Sequence, residues 1–125
     1  MYRLAVKRDF IAQHYLIGGD YGAENEHHSH HYALEVQLTG PTLNEQGYLL
    51  DIVEVEESLD QVIDIYRDAT LNELPEFSGL NPSLEHFARI LYERLTGSID
   101  TGSLESVLVK LWEDRDTYVE YQDSF

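Results

Sequence analysis

The sequence predicts an α+β fold in which an antiparallel sheet carries two helices on one face. Alternating apolar and polar residues indicate strands over residues 2–14 and about 28–40. Apolar residues at three- and four-residue spacing then indicate two helices in mid-chain, and alternation returns near residue 107. Strands, then helices, then strands give the order β-β-α-α-β-β. We expect residues 1–125 to form one domain, since this length can bury a core of its own.

The first predicted strand covers residues 2–14. Side chains alternate along a strand, so one face carries Leu4, Val6, Phe10, Ala12 and His14. Arg8 shares that parity, and an arginine on a buried face needs an anion or a carboxylate as its partner. The first strand therefore ends with His14 on the apolar side.

The second predicted strand follows a loop indicated by Gly18, Gly19 and Gly22. It runs over about residues 28–40, and Gly40-Pro41 ends it. Its apolar face carries His28, His30, Tyr32, Leu34, Val36 and Leu38. If the two strands are neighbours in a hairpin, three histidines lie on the apolar faces of adjacent strands.

Two helices are predicted next. The apolar stripe of the first consists of Val55, Leu59, Val62, Ile63 and Tyr66. Residues 71–80 are expected to be a loop. Asn81 is then the predicted N-cap of the second helix, with Pro82 at the first helical position and Gly97 at the end. Its apolar stripe consists of Leu84, Phe87, Ala88, Leu91 and Leu95.

The last two strands complete the sheet. Residues 107–112 alternate as a third strand, and Glu113 continues the buried parity at its end. A turn over residues 114–116 leads to a fourth strand over Thr117–Gln122. A carboxylate at the end of a buried face is well placed to bind a guanidine-like edge through two hydrogen bonds. A solvated glutamate at a strand end is the alternative.

Composition excludes several function classes. The formal net charge is -16, with 24 Asp+Glu against 8 Lys+Arg, so we expect no generic binding to nucleic acid or to anionic membranes. The chain has no cysteine, which excludes thiolate nucleophiles and disulfides. Neither a signal-peptide core nor an apolar run of about 20 residues is present, so we expect a cytoplasmic protein.

The histidines predict a metal site. Several neutral imidazoles are costly to bury without partners, whereas a tetrahedral metal ion satisfies them together. His14, His28 and His30 supply three nitrogens and leave one position open, which is the pattern of a catalytic zinc site. His27 and His31 have the opposite parity and are expected to be exposed or to act behind the ligands. A polar loop that happens to be rich in histidine is the alternative.

Two architectures fit such a site. Gly22-x5-His28-x-His30-x4-Glu35 resembles the first metal motif of the cupin barrels, with Glu35 as a further ligand. Glu35 precedes Gly40 by fewer residues than that motif usually has, and no second motif follows. Two helices in mid-chain also fit poorly in a barrel of strands. A cupin-like metal protein is therefore kept as a second alternative.

A second resemblance covers almost the whole chain. Its matching stretches are Phe10-x-Ala12-x-His14, His28-x-His30-His31-Tyr32, Gly47–Ile52, Leu71-Asn72, Asn81-Pro82-Ser83-x-Glu85 and Val109-x-Leu111-x-Glu113. Together they resemble the family of 6-pyruvoyl-tetrahydropterin and 6-carboxytetrahydropterin synthases. The resemblance implies the tunnelling fold (T-fold), in which subunits pool their sheets into a barrel. Its members are typically hexamers of two trimers, so we expect a homo-oligomer with active sites between subunits.

The resemblance also implies site residues. His14, His28 and His30 correspond to the ligands of Zn²⁺, and Glu113 resembles the glutamate that anchors the pterin ring. Ser83 and Glu85 lie where the family lines its pterin pocket, although helix capping and compensation of the helix dipole explain both residue types equally well. The usual cysteine base is replaced by Glu24. The usual Asp-His pair before Leu71-Asn72 is absent, and Asp68 is the nearest titratable substitute.

These departures lead to a functional hypothesis. Relatives with glutamate at the cysteine position resemble a branch that cleaves the side chain of 7,8-dihydroneopterin triphosphate to 6-hydroxymethyl-7,8-dihydropterin. We expect a zinc-dependent lyase of this kind, or one that eliminates the triphosphate, with Glu24 and Asp68 as catalytic residues. Arg8, Lys7 and Arg67 are candidates to contact the triphosphate, with salt bridges as their alternative role. A relative that binds zinc and pterin without turnover is the first alternative.

Overall fold

A computed structural model describes residues 1–123 and 125 of the chain. Its elements in chain order are β1 (Tyr2–His14), β2 (His28–Gly40), α1 (Ile52–Tyr66), α2 (Leu84–Ser98), β3 (Ser106–Trp112) and β4 (Tyr118–Gln122). The four strands form one antiparallel sheet in the order β1-β2-β3-β4. The predicted α+β class and the order β-β-α-α-β-β are confirmed.

The pairing of β1 with β2 sets the geometry of one end of the sheet. The two strands pair without interruption from Tyr2 opposite Gly40 to His14 opposite His28. A slip by one residue would turn every buried side chain of a strand to solvent, so the apolar pattern specifies this register. β3 pairs with β2 only from Ala33 onward. Residues 28–32 therefore extend beyond the end of β3.

Both helices cover the same face of the sheet with their apolar stripes. Phe87 of α2 is central, because its ring meets those of Phe10, Tyr32, Tyr66 and Phe77 at centroid distances of 6.0, 5.1, 5.2 and 5.6 Å. Such edge-on aromatic contacts add to the free energy of apolar burial. No helix within residues 1–123 is long and apolar enough to cross a membrane.

The start of α2 corrects the predicted cap. Ser83 is the N-cap, and its hydroxyl accepts a hydrogen bond from the His86 N–H at 3.1 Å. Asn81 uses its side-chain oxygen to accept from the Ile17 N–H at 2.9 Å, so it is not available to cap the helix. Pro82 consequently precedes the helix, which begins at Leu84.

Other boundaries differ by small amounts. Helix α2 continues one residue past Gly97 to Ser98. β4 begins at Tyr118, because the Thr117 N–H donates to Asp114 Oδ1 at 2.9 Å and so belongs to the preceding turn. The predicted loop over 71–80 contains two short 3-10 turns, Leu71–Glu73 and Pro75–Phe77. None of these shifts changes which residues face the core.

The second face of the sheet carries no helix in the described part of the chain. Lys7, Glu35 and Lys110 lie opposite one another in a row across three strands. Trp112 lies beside this row, with the Lys7 and Lys110 ammonium groups 4.5 and 4.9 Å from its ring centroid. β1 and β4 are the edge strands of the sheet. Residues 68–70 pair with Ile11 and Gln13 at the end of the β1 edge. One face, the β4 edge and the rest of the β1 edge are therefore left for contacts outside this chain.

Candidate functional site

Three histidines converge where β1 ends and β2 begins. His14 is the last residue of β1 and lies opposite His28, the first residue of β2. His30 follows on the same face, two residues along β2. The ring centroids are 4.5 Å apart for His14 and His28, 4.8 Å for His14 and His30, and 4.9 Å for His28 and His30. One nitrogen from each ring lies within 4.8 Å of the other two.

The ring nitrogens suit a zinc ion. His28 Nε2 and His30 Nε2 are 3.1 Å apart. Two nitrogens on one tetrahedral zinc ion, each bound at about 2.0–2.1 Å, lie about 3.3 Å apart. His28 Nδ1 lies 2.7 Å from the Glu26 carbonyl oxygen, to which an Nδ1–H can donate, and this leaves Nε2 free to bind. The donor set therefore fits zinc, and three nitrogens leave one position of a tetrahedral ion for a fourth ligand.

Burial keeps His14 in the form that binds metals. Its side chain is 3% exposed. The pKa of His14 is lowered from 6.5 to about 4, by burial first and then by the neighbouring His30 and His28. A metal ligand must be neutral imidazole, which His14 is at neutral pH.

Two predicted carboxylates lie at the same end of the sheet. Burial raises the pKa of Tyr32, and the negative charges of Glu113 and Glu24 raise it further. Both carboxylates thus act electrostatically on the Tyr32 hydroxyl. The oxygen of this hydroxyl lies 2.8 Å from His14 Nδ1. Glu113 is half-buried just past the end of β3, and Glu24 is exposed in a 3-10 turn over Gly22–Asn25. Glu24 and Glu113 therefore lie at the end of the sheet that carries the histidine cluster.

Asp68 lies on the segment after α1 and beside β1. It is exposed, and its backbone has a positive φ of 60°. Its N–H donates to the Ile11 carbonyl at 2.7 Å, which ties this segment to β1. Among residues 1–123 its carboxylate forms no hydrogen bond or ion pair. Asp68 is thus available to a ligand, without a contact to the histidines of its own chain.

Ser83 and Glu85 stand at the start of α2. The Ser83 hydroxyl is engaged as the helix cap, and Glu85 is exposed in the first turn. An acidic residue in that turn is favoured by the helix dipole. Neither side chain bonds to the histidine cluster in the described residues, so local helix chemistry accounts for both.

Three asparagines, missed as site residues from sequence, hold the segment between β1 and β2. The Asn72 amide accepts from the Tyr15 N–H at 3.0 Å and donates to the Tyr15 carbonyl at 2.9 Å. Asn25 donates to the carbonyls of Leu16 and Gly19, both at 3.0 Å, and Asn81 bonds the Ile17 N–H. Asn72 and Asn81 lie within the stretches Leu71-Asn72 and Asn81-Pro82-Ser83-x-Glu85 of the family resemblance, and this is the only sign in the sequence that they belong to the site. Their amides position the segment that carries Glu24.

The cations proposed for the triphosphate have different surroundings. Arg8 donates to Glu56 at 2.8 Å and to Asp60 at 3.0 Å, so its expected partner on the buried face is a pair of carboxylates of α1. Arg67 pairs with Asp64. Lys7 lies over Trp112 on the uncovered face. Arg8 and Arg67 are thus salt-bridge partners, which is the alternative to contact with the triphosphate.

His27, His31 and Glu35 have the opposite parity to the three ligands and face away from the cluster. His27 and His31 are exposed as expected, with Nε2 2.8 Å from Thr70 Oγ1 and 3.0 Å from Asp9 Oδ2, respectively. Glu35 lies on the uncovered face and accepts from Gln37 Nε2 at 2.7 Å. The cupin-like interpretation, which required Glu35 as a ligand and a barrel of strands, is therefore wrong.

Comparisons with known proteins agree with this geometry. A family model described as 6-pyruvoyl tetrahydropterin synthase matches residues 3–124. The chain belongs to this family. A 6-pyruvoyl tetrahydrobiopterin synthase from Dictyostelium discoideum is 29% identical over 104 residues, which cover 82% of this chain and 75% of that protein. Membership of the 6-pyruvoyl tetrahydropterin synthase family indicates a pterin-processing function of the synthase type.

Solved structures show the same fold. The 6-pyruvoyl tetrahydropterin synthase of Caenorhabditis elegans superposes with a TM-score of 0.81 at 22% identity, covering 99% of this chain and 98% of that one. A Plasmodium vivax 6-pyruvoyltetrahydropterin synthase, carrying a glutamate-to-alanine mutation of a catalytic residue, gives 0.82 at 16% identity over the same shares. These likenesses confirm the predicted T-fold.

Proposed function

We propose that this protein is a zinc-dependent lyase that cleaves the side chain of 7,8-dihydroneopterin triphosphate, giving 6-hydroxymethyl-7,8-dihydropterin. The observation that carries the proposal is the cluster of three histidines at the end of the sheet where Glu24 and Glu113 also lie. Side-chain cleavage is favoured over elimination of the triphosphate, because Glu24 replaces the cysteine base and no histidine stands at residues 67–69. Residues 1–125 act as one catalytic domain.

The proposed roles follow from position and chemistry. His14, His28 and His30 hold Zn²⁺, which when bound supplies Lewis acidity toward the hydroxyl oxygens of the substrate side chain. Glu113 accepts hydrogen bonds from the amino group and ring N–H of the pterin, a bidentate contact that a carboxylate makes well. This contact orients the side chain toward the histidines.

Glu24 is the proposed base. It removes the proton of a side-chain hydroxyl, so that a carbonyl forms there as the adjacent carbon–carbon bond breaks, and it returns the proton to the carbon of the pterin fragment. The Plasmodium vivax relative has a glutamate as a catalytic residue, which supports a carboxylate in this role on this fold. Asp68 is proposed as a second acid or base, acting at a site shared with a neighbouring copy.

Assembly into a trimer or hexamer is part of the proposal. Support comes from the uncovered sheet face and from the edge strands β1 and β4, because exposed edges are usually paired or protected. The exposed carboxylate of Asp68 also has space for a substrate held by a second copy. A trimer or hexamer in light scattering is the expected result, and a monomer would contradict the shared site.

The activity is tested by product analysis. The zinc-loaded protein is incubated with 7,8-dihydroneopterin triphosphate, and mass spectrometry identifies the pterin formed. Glu24→Gln is expected to lower kcat by about 10²–10⁴-fold with zinc content unchanged, since it removes the base alone. Glu26→Gln, a change two residues away, is the matched control and keeps activity because His28 bonds the main-chain carbonyl of Glu26. Full activity in Glu24→Gln would refute the assigned base.

The absence of cysteine supports a second candidate, a relative that binds zinc and pterin without converting the ligand. Both candidates predict zinc and pterin binding, so turnover separates them. Pterin binding with no new product, at saturating zinc and substrate, would select the binding protein. A pyruvoyl or carboxy product would instead select the synthase reactions.

A further inference from the structure

Tyr32 joins the histidine cluster to the aromatic core. Its ring stacks on Phe10 at 5.5 Å and meets Phe87 edge-on at 5.1 Å. The residue is 1% exposed, and its hydroxyl oxygen lies 2.8 Å from Nδ1 of His14. A ring held on two sides keeps its place, so core packing determines where the hydroxyl lies.

The partner of Nδ1 determines which nitrogen of His14 can bind a metal. Neutral imidazole carries one proton, and the nitrogen without it is the metal donor. When Nδ1–H donates to the Tyr32 hydroxyl oxygen, the Nε2 lone pair of His14 is free. His28 reaches the same state through the carbonyl of Glu26, a main-chain contact. His14 depends instead on a side chain, which a single substitution removes.

We infer that Tyr32 is a positioning residue for the metal: it holds His14 as an Nε2 donor and thereby sets how tightly the site retains zinc. The inference rests on the metal ligands of the proposed function and is independent of the substrate. A phenol is a neutral acceptor, so it orients the ring without the added basicity that a carboxylate partner gives to a histidine ligand. More of the positive charge at the site then remains for the substrate hydroxyls.

The test compares Tyr32→Phe with the matched control Tyr66→Phe. Both tyrosines are almost fully buried and meet Phe87 edge-on, but the Tyr66 hydroxyl donates to Glu76 at 2.9 Å. Chelator-treated proteins are titrated with zinc against a chromophoric competitor, and urea unfolding of the metal-free forms is measured in parallel. Zinc affinity should fall about 10–100-fold in Tyr32→Phe and stay at the wild-type value in Tyr66→Phe.

Wild-type affinity in Tyr32→Phe, or an equal loss in Tyr66→Phe, overturns the inference. Should Tyr32→Phe fail to fold, nitrogen NMR of the zinc-loaded wild-type protein decides: a proton on Nδ1 of His14 is expected, and a proton on Nε2 overturns the inference. A wild-type protein that binds zinc but converts no pterin contradicts only the proposed activity. One that binds no zinc overturns both.

Discussion

The histidine cluster and the two candidate acids differ in how the fold holds them. His14 and His28 are cross-strand partners in a register that the whole length of β1 and β2 maintains, and His14 is buried. Glu24 lies in an exposed 3-10 turn, and Asp68 lies on an exposed segment with positive φ. Core packing therefore positions the metal ligands, whereas hydrogen bonds of exposed segments position the acids: main-chain bonds for Asp68, and main-chain and asparagine side-chain bonds for Glu24.

This difference separates two properties. Metal affinity should respond to substitutions at the ends of β1 and β2 and in the core residues packed against the histidines, because these residues determine the direction of the ring nitrogens. Turnover should respond to changes in the segment over residues 15–26, which the amides of Asn25, Asn72 and Asn81 hold. Loops positioned on a rigid scaffold are common carriers of catalytic groups. Variants that change one property alone test this division.

The largest expected effect follows loss of one metal ligand. His28→Ala removes one of three nitrogens, and sharing a zinc binding free energy of about 10–16 kcal/mol equally among three ligands gives a loss of about 3–5 kcal/mol. Zinc affinity should thus fall by about a thousandfold. His27→Ala, one residue away on the exposed side, should bind zinc like the wild type. Competition titration measures both, and equal losses would contradict the ligand assignment.

A smaller effect is expected from pH in the metal-free protein. The pKa of His14 is lowered to about 4 in the folded state, from 6.5 when unfolded, by burial first and then by His30 and His28. The unfolded chain thus takes up a proton first, so stability is present above pH 6.5 and is lost as pH falls toward 4. Between pH 7 and pH 5 this loss amounts to about 2 kcal/mol.

Urea unfolding of chelator-treated protein at these two pH values measures the loss. His14→Gln provides the comparison, because glutamine is similar in size and binds no proton in this range. Between pH 7 and pH 5, the free energy of unfolding of His14→Gln should fall by about 2 kcal/mol less than that of the wild type. Equal falls in the two proteins would show that His14 is protonated as readily in the folded state as in the unfolded chain.

The same difference explains what could be read from the sequence. Strand alternation predicts that His14, His28 and His30 share one face, because a period of two is a local property of the backbone. The side-chain bonds of Asn81 and Asn72 to residues 17 and 15 join segments more than fifty residues apart. No local pattern shows such a contact. For that reason the sequence pattern predicts Asn81 as the helix cap, whereas Ser83 provides it.

The smallest expected effect tests the segment that carries Glu24. Asn72→Ala removes two hydrogen bonds to the main chain of Tyr15 and should lower the free energy of unfolding by about 1 kcal/mol. Asn44→Ala is the matched control, since Asn44 accepts from the N–H groups of Gln46 and Tyr48 at the opposite end of the sheet.

Both asparagine variants should lose similar stability in urea unfolding and keep their zinc affinity. Only Asn72→Ala should also lower kcat, because the segment with Glu24 is then held less firmly while the histidines stay in register. A fall in zinc affinity in Asn72→Ala would mean that the same segment positions the metal ligands. In that case the histidine cluster and the segment over residues 15–26 would act as one unit, connected through Tyr15, which directly follows His14 at the end of β1.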